Sequence, residues 1–180
     1  MLTDRFKQKY RISSARLQHY DYAKSGLYFI TGNAFNHQCI FGDVVDSEMR
    51  NSALGEVAEA CWTAIPSHFQ HVELDCFQVM PNHLHGILQL VEDGAGAGTF
   101  DVMEGRKPGG LQRGSISSIL NSFKGAVTKE AKRLGLAETV WQGRFHDHVI
   151  RNEQDLERIR HYIVNNPAQW TQDRYFVAKV

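Results

Sequence analysis

The chain has 180 residues, 42% hydrophobic and 22% charged, with a formal net charge of zero, which is the composition of an ordinary soluble globular protein. No apolar run approaches the ~18 residues needed to cross a bilayer, and the N-terminus lacks the apolar core of a signal peptide. Three widely spaced cysteines argue against a disulfide framework or a CxxC zinc site. We therefore expect one cytoplasmic domain that does not bind membranes.

The charges are unevenly distributed along the chain. Residues 1–24 contain six Lys/Arg and two Asp/Glu, residues 25–103 contain one Arg and ten acids, and residues 104–133 contain seven Lys/Arg and two acids. Such basic stretches can form two sides of a nucleic-acid groove. They can equally be solvated surface, so charge alone leaves both interpretations open.

The predicted elements follow the order β, β, α, β, β, α, β, α. Aromatic and β-branched clusters predict strands at 27–31, 38–41, 71–80, 83–91 and 139–150. Apolar residues at helical spacing predict three helices, which run from a cap at Ser47 to Pro66, from Ser115 to Gly135 and from Asn152 to Pro167. This order indicates an α+β sandwich with helices packed on one face of a mainly antiparallel sheet. Seven glycines in residues 92–114 predict a flexible loop.

The segment "MPNHLHGILQL" places His83 and His85 two positions apart on a predicted strand. Side chains alternate across a strand, so both imidazoles lie on one face while Leu84 and Leu88 lie on the other. Two neutral imidazoles can chelate one divalent ion, and an added oxygen ligand also suits Mg²⁺ or Mn²⁺. The H-x-H spacing fits equally well a pair of half-exposed histidines that bond to their neighbours.

The last predicted helix carries Tyr162 and Asn166 one turn apart on one face. A tyrosine oxygen is a competent nucleophile towards phosphorus, and an asparagine oxygen can be a third ligand for a hard cation. Tyr162 on its own also fits a residue at the edge of the core.

Three stretches together, "MPNHLHGIL", "SFKGAVTKEA" and "VWQGRFHDHVIRNEQDLERIRHYIVNNPAQW", resemble the REP-associated tyrosine transposases. These proteins belong to the HUH single-strand endonucleases, in which U is a bulky hydrophobic residue, here Leu84. The resemblance covers residues 27–170 and implies a ferredoxin-like sandwich with the HUH motif on a central strand. We accordingly divide the chain into a basic arm (1–26), a catalytic domain (27–170) and a C-terminal tail (171–180).

The resemblance implies cleavage and rejoining of single-stranded or hairpin DNA, with palindromic repeats as targets. His83 and His85 would bind Mg²⁺ or Mn²⁺, Asn166 would be the third ligand, and Tyr162 would form a 5′-phosphotyrosine. The tyrosine helix can serve its own subunit or that of a partner, so a homodimer is possible.

Four further residues are candidates for DNA contacts: Lys124, Arg144, His148 and Arg151. On an extended segment Arg144, His146 and His148 alternate onto one face, where they can contact phosphates or order a metal site. Lys124 on the preceding helix can follow a phosphate backbone. Each of these residues also fits a solvated surface.

Two other functions fit the same residues. A non-catalytic relative would bind hairpin nucleic acid without cleaving it. A metal-dependent hydrolase would use activated water, so its cleavage would survive loss of the Tyr162 hydroxyl.

Overall fold

A computed structural model describes residues 5–6, 10–11, 21–92 and 112–177. Most of the predicted glycine-rich loop at 92–114, much of the predicted basic arm at 1–26 and the last three residues of the predicted tail lie outside the described residues. Within those ranges no helix combines the length and the apolar character that crossing a membrane requires.

In the described residues, eight strands form one central sheet and two small antiparallel pairs. They are β1 (Arg5–Phe6), β2 (Tyr10–Arg11), β3 (Gly26–Asn33), β4 (Gly42–Val45), β5 (Glu48–Asn51), β6 (Val72–Met80), β7 (His83–Leu90) and β8 (His146–Ile150). The central sheet is antiparallel throughout, in the order β6-β7-β3-β8. The pairs are β1 with β2 and β4 with β5.

Within the same part of the chain, four α-helices accompany these strands: α1 (Ala53–Thr63), α2 (Ile65–His68), α3 (Ile116–Arg133) and α4 (Glu153–Asn165). Two short 3-10 helices span Phe35–His37 and Pro167–Gln172. With α1 between β3 and β6, and α3 between β7 and β8, the connectivity is that of a ferredoxin-like sandwich. The predicted α+β class and mainly antiparallel sheet are confirmed.

The sheet has two apolar faces, because each strand points alternate residues to opposite sides. Tyr28, Ile30 and Leu88 belong to the larger core, which α1 and α3 cover. Ile87 and Ile150 belong to a second cluster on the other face, where α4 contributes the stripe of Leu156, Ile159 and Ile163. The expectation of helices on one face therefore holds for α1 and α3, whereas α4 packs on the face that carries the histidines.

The segment before α1 differs from its prediction. Residues 38–41 form no strand, and Ser47 caps no helix, because residues 42–51 form the β4–β5 hairpin. Asp46 and Ser47 form its turn with φ angles of 52° and 65°, a left-handed conformation typical of tight hairpins. The cap of α1 is Ser52, whose hydroxyl accepts a hydrogen bond from the backbone N–H of Gly55 at 3.1 Å.

The helix and strand ends at the other predicted positions agree more closely. Ser115 and Asn152 cap α3 and α4 as expected, since each side chain accepts a backbone N–H three residues later. Pro66 does not end a long helix but lies in the first turn of α2, a position that tolerates proline. The extended segment predicted from residue 139 becomes a strand only at His146.

Candidate functional site

The two histidines of β7 converge on one point. Their Nε2 atoms lie 3.0 Å apart, although the rings are tilted by 69°. Each Nδ1 has a partner: that of His83 lies 2.9 Å from Oδ1 of Asn82, and that of His85 lies 2.9 Å from Oγ1 of Thr31. Thr31 is directly opposite His85 in the pairing of β3 with β7. The strand and its neighbours therefore orient both rings.

The partner of His83 fixes which ring nitrogen carries the proton. The Nδ2 group of Asn82 donates to the carbonyl oxygens of His37 and Tyr175 at 3.1 and 2.7 Å, so Oδ1 is the acceptor atom of that amide. The Nδ1 of His83 must then be the donor, which leaves the lone pair of Nε2 available in the neutral ring. Such a hydrogen bond is the usual support of a metal-binding imidazole.

Both imidazoles are neutral at physiological pH. Burial, together with the charge of Arg174, lowers the pKa of His83 to about 4, against the opposing effect of Asp173. Burial also lowers the pKa of His85 well below its usual value, helped by His83 and Arg174. A neutral imidazole is the form that binds a metal ion.

Helix α4 brings Tyr162 to this pair from the other end of the chain. Its hydroxyl lies 3.1 Å from Nε2 of His85 and 3.3 Å from Oδ2 of Asp173. The ring of Phe29 stacks on His85 and meets the Tyr162 ring edge-on, so it contacts both of these side chains. Burial, together with the charge of Asp173, raises the pKa of Tyr162 to about 12.

A bulge in β6 anchors α4 across the sheet. The pairing of β6 with β7 shifts between Leu74 and Phe77, and the displaced residues Asp75 and Cys76 contact the helix. Asp75 accepts hydrogen bonds from the guanidinium of Arg160 at 3.0 and 2.5 Å. Because Arg160 is only two residues before Tyr162, this ion pair helps to set the position of the tyrosine. Bulges next to functional sites commonly redirect side chains in this way.

A carboxylate that the sequence analysis did not select completes the group. One ligand atom from each of His83, His85 and Asp173 lies within 4.8 Å of the other two. Asp173 follows the 3-10 helix that succeeds α4, and its Oδ1 accepts the backbone N–H of Tyr175 at 2.7 Å. The sequence does show an acidic residue shortly after the helix that carries Tyr162. No local pattern indicates, however, that the chain turns back towards the histidines after that helix.

Asn166, the predicted third ligand, lies beside the same carboxylate. It is 2% exposed, and its Nδ2 donates to Oδ2 of Asp173 at 3.2 Å. Its Oδ1 is buried without a hydrogen-bond partner, which is an unfavourable state for a polar atom. A bound cation would satisfy that oxygen. The assignment of Asn166 as a ligand stays a prediction.

These donors suit a divalent cation. Two imidazoles with a carboxylate and an amide oxygen form a mixed set that accommodates Mn²⁺ or Mg²⁺ as well as other divalent ions. In octahedral coordination, adjacent ligands at ~2.1 Å from the ion lie ~3 Å apart. The 3.0 Å separation of the two Nε2 atoms agrees with that spacing.

Residues 170–175 cover the histidines. The ring of Tyr175 lies 4.8 Å from that of His83, and Trp170 packs on the same ring at 5.9 Å. His83 and His85 are 0% and 1% exposed as a result. The predicted domain boundary at residue 170 therefore separates Asp173 and Tyr175 from a site that they contact.

Two of the predicted DNA-binding residues lie on the α3 side of the sheet. Lys124 is half-buried, and its Nζ donates to the carbonyl oxygens of Gln142 and Arg144, each at 2.8 Å. Burial lowers the pKa of Lys124 to about 8. Arg144 is exposed, with a left-handed φ of 72°.

The other two lie near the start of α4. His148 Nε2 is 2.8 Å from Oδ2 of Asp155, a carboxylate that also pairs with Arg158. Arg151 is exposed and lines a small cavity with His148. The four residues thus form two separate surfaces rather than one, and their role in DNA binding stays a prediction.

Comparisons with known proteins bear on the fold and the family. No protein-family model matches the chain. An uncharacterized protein of Haemophilus influenzae is 38% identical over 167 residues, which cover 91% of this chain and 92% of the relative. A REP-associated tyrosine transposase, solved bound to a REP hairpin, superimposes with a TM-score of 0.60 and 19% identity, over 88% of this chain and 76% of the other. The resemblance expected from the sequence is confirmed in the fold. The chain belongs to one family with the Haemophilus influenzae protein and has the fold of a REP-associated tyrosine transposase.

Proposed function

We propose that the protein is a metal-dependent DNA strand transferase of the HUH type, which cleaves and rejoins single-stranded or hairpin DNA through Tyr162. The observation that carries this proposal is the 3.1 Å contact between the Tyr162 hydroxyl and His85, at the point where the two imidazoles meet. A tyrosine that only packs in the core would not need its hydroxyl at this point. A histidine pair that only supports the fold would likewise not need a tyrosine hydroxyl beside it.

In the proposed reaction the Tyr162 oxygen attacks a backbone phosphorus. A bond forms between that oxygen and phosphorus, and the bond from phosphorus to the 3′-oxygen breaks, which leaves a 5′-phosphotyrosine and a free 3′-hydroxyl. The phenol proton must leave, and the carboxylate of Asp173, 3.3 Å from the hydroxyl, can accept it. Nε2 of His85 is closer, at 3.1 Å, but its lone pair would be taken up by the cation. A later attack by a 3′-hydroxyl reverses the step, so no other energy source is needed.

His83, His85 and either Asp173 or Asn166 would hold the divalent cation. When bound, the cation supplies positive charge beside the phosphate, where negative charge grows in the transition state. Arg174 adds a second positive charge, since it is close enough to lower the pKa of both histidines. For a phosphate to enter, Tyr175 has to move away from His83, because the rings are in contact.

The covered site favours one alternative, a domain that binds hairpin nucleic acid without cleaving it. Both histidines are buried under residues 170–175, and the raised pKa of Tyr162 disfavours the reactive phenolate. If the site stays closed, DNA can bind only to the outer surface of the protein and cannot reach Tyr162.

A labelled hairpin oligonucleotide separates these functions. We expect wild-type protein with Mn²⁺ to form a covalent protein–DNA adduct, and Tyr162→Phe to form none. Tyr28→Phe is the matched control, because its hydroxyl donates to the carbonyl of Lys24 far from the histidines in the larger core. Binding without an adduct would favour the binding domain. Cleavage that persists in Tyr162→Phe and disappears in His83→Ala would favour a hydrolase that uses water.

A further inference from the structure

A groove runs between α3 and the loop that precedes β8. We call it the α3 groove, and its lining includes Lys124, Gly125, Lys129, Lys132, Gly143 and Arg144. None of the described residues that line it carries a carboxylate. Of the nearby acids, Glu130 pairs with Arg133 outside the lining. Glu138 lies 3.8 Å from Lys132 and offsets part of the charge of that lysine. The groove is therefore strongly basic in a chain with no net charge.

Lys124 builds the wall of this groove rather than projecting into it. Its ammonium group donates to the carbonyl oxygens of Gln142 and Arg144. In the opposite direction, the indole N–H of Trp141 donates to the backbone carbonyl of Lys124 at 3.2 Å. These contacts hold the loop against the helix and thereby form the wall of the groove.

Two glycines of the groove, Gly125 and Gly143, have open space where a side chain would lie. A Cβ atom added at Gly125 or at Gly143 would meet nothing within 4 Å. Neither glycine has a left-handed φ, and glycine in the middle of a helix such as α3 is less favourable than alanine. Glycine is commonly used where the backbone approaches a ligand closely. At both positions the backbone is open to close approach by an external group.

The end of the groove adjoins the histidine end of the sheet. The backbone N–H of Gln142 donates to the carbonyl of Asn33 at 3.0 Å, and Asn33 lies opposite His83 in the pairing of β3 with β7. The groove belongs to the α3 side, whereas Tyr162 belongs to the α4 side. A DNA molecule that occupies both must pass around this end of the sheet.

We propose that the α3 groove binds the sugar–phosphate backbone of DNA without regard to base sequence, next to the tyrosine site. Lys129, Lys132 and Arg144 contact phosphates, and Gly125 and Gly143 let the backbone approach closely. The aromatic ring of the groove, Trp141, is 9% exposed and offers no surface for base stacking. The identity of the ligand as DNA rests on the proposed function.

Binding of a fluorescent hairpin with a stem of arbitrary sequence tests this proposal, with anisotropy measured in EDTA so that no cleavage takes place. We expect Lys129→Ala to weaken binding about tenfold at ~0.1 M salt, and to reduce the slope of log K against log salt by about 1. Gly125→Ala should also weaken binding while its thermal midpoint equals or exceeds that of wild type, because alanine favours the helix.

Arg133→Ala is the control, since it removes the same charge from the same helix but outside the groove lining. It should bind like wild type. The proposal is overturned if wild type does not bind, if Lys129→Ala and Gly125→Ala bind like wild type, or if Arg133→Ala loses as much affinity. Adduct formation is measured in a separate assay. If the protein binds DNA through the α3 groove but forms no adduct, the proposed nuclease function is refuted and the proposal for the groove still stands.

Discussion

The hydroxyl of Tyr162 lies 3.1 Å from Nε2 of His85, and that same nitrogen lies 3.0 Å from Nε2 of His83. Seventy-seven positions separate Tyr162 from His85. The contact arises because α4 packs on the face of the sheet to which β7 points its histidines. A phenol and two neutral imidazoles thus share one point, and both the proposed metal site and the proposed nucleophile depend on it.

Removal of the carboxylate at the site should weaken metal binding. We expect Asp173→Asn to lower the affinity for Mn²⁺ by more than about tenfold, since the loss of even a supporting group costs that much. The measurement is the rise in Tm on titration with Mn²⁺, because an ion that binds only the folded state stabilises it. Asn166→Ala tests the other candidate in the same assay. If the carboxylate variant responds to Mn²⁺ like wild type while Asn166→Ala does not, Asn166 is the ligand.

The glycine after the second histidine should be essential for packing. A Cβ atom at Gly86 would lie 2.3 Å from Cζ2 of Trp62, which is 1% exposed in the larger core. We expect Gly86→Ala to destabilise the protein by roughly 1–3 kcal/mol, the usual cost of overpacking, as measured by urea unfolding. Gly32→Ala on β3 is the matched control, because its Cβ would meet only ordinary contacts from 3.6 Å. Equal stabilities of the two variants would contradict this packing.

The ion pair that anchors α4 should make stability depend on pH. The hydrogen bond that Asp75 accepts from Arg160 holds the pKa of the Asp75 carboxyl below its usual value. A carboxyl whose pKa is lower in the folded state stabilises the protein above its unfolded pKa of ~3.9, and that stabilisation is lost as pH falls through the folded pKa.

We therefore expect Asp75→Asn to lower the Tm by roughly 1–4 °C at pH 7, since the pair is partly exposed. The difference from wild type should shrink below pH ~4. Thermal unfolding at several pH values checks this expectation. If the Tm difference between Asp75→Asn and wild type is the same at pH 7 and at pH 3, the charge of Asp75 contributes nothing to its interaction with Arg160.

The position of the two histidines and of Tyr162 in the fold could be predicted because their signals are local. Strand periodicity places His83 and His85 on one side, and the apolar stripe of α4 leaves Tyr162 at its edge. The caps Ser115 and Asn152 are likewise visible within four residues of sequence. The α+β class followed from the order of the predicted elements, and the ferredoxin-like connectivity followed from the family resemblance.

The supporting residues could not be predicted, because they depend on contacts between distant parts of the chain. Thr31 reaches His85 through the register of β3 with β7, and Asn82 is fixed by carbonyls 45 and 93 positions away. Asp173 returns to the site only through the 3-10 helix after α4. Hairpin β4–β5 was missed because its turn, Asp46–Ser47, adopts left-handed angles without a glycine.

Mass spectrometry of the trapped protein–DNA complex tests the nucleophile most directly. After incubation with a hairpin substrate and Mn²⁺, we expect one nucleotide-modified peptide, with the 5′-phosphate on Tyr162. Attachment at any other residue, or cleaved DNA with free 5′ ends and no modified peptide, would contradict the account.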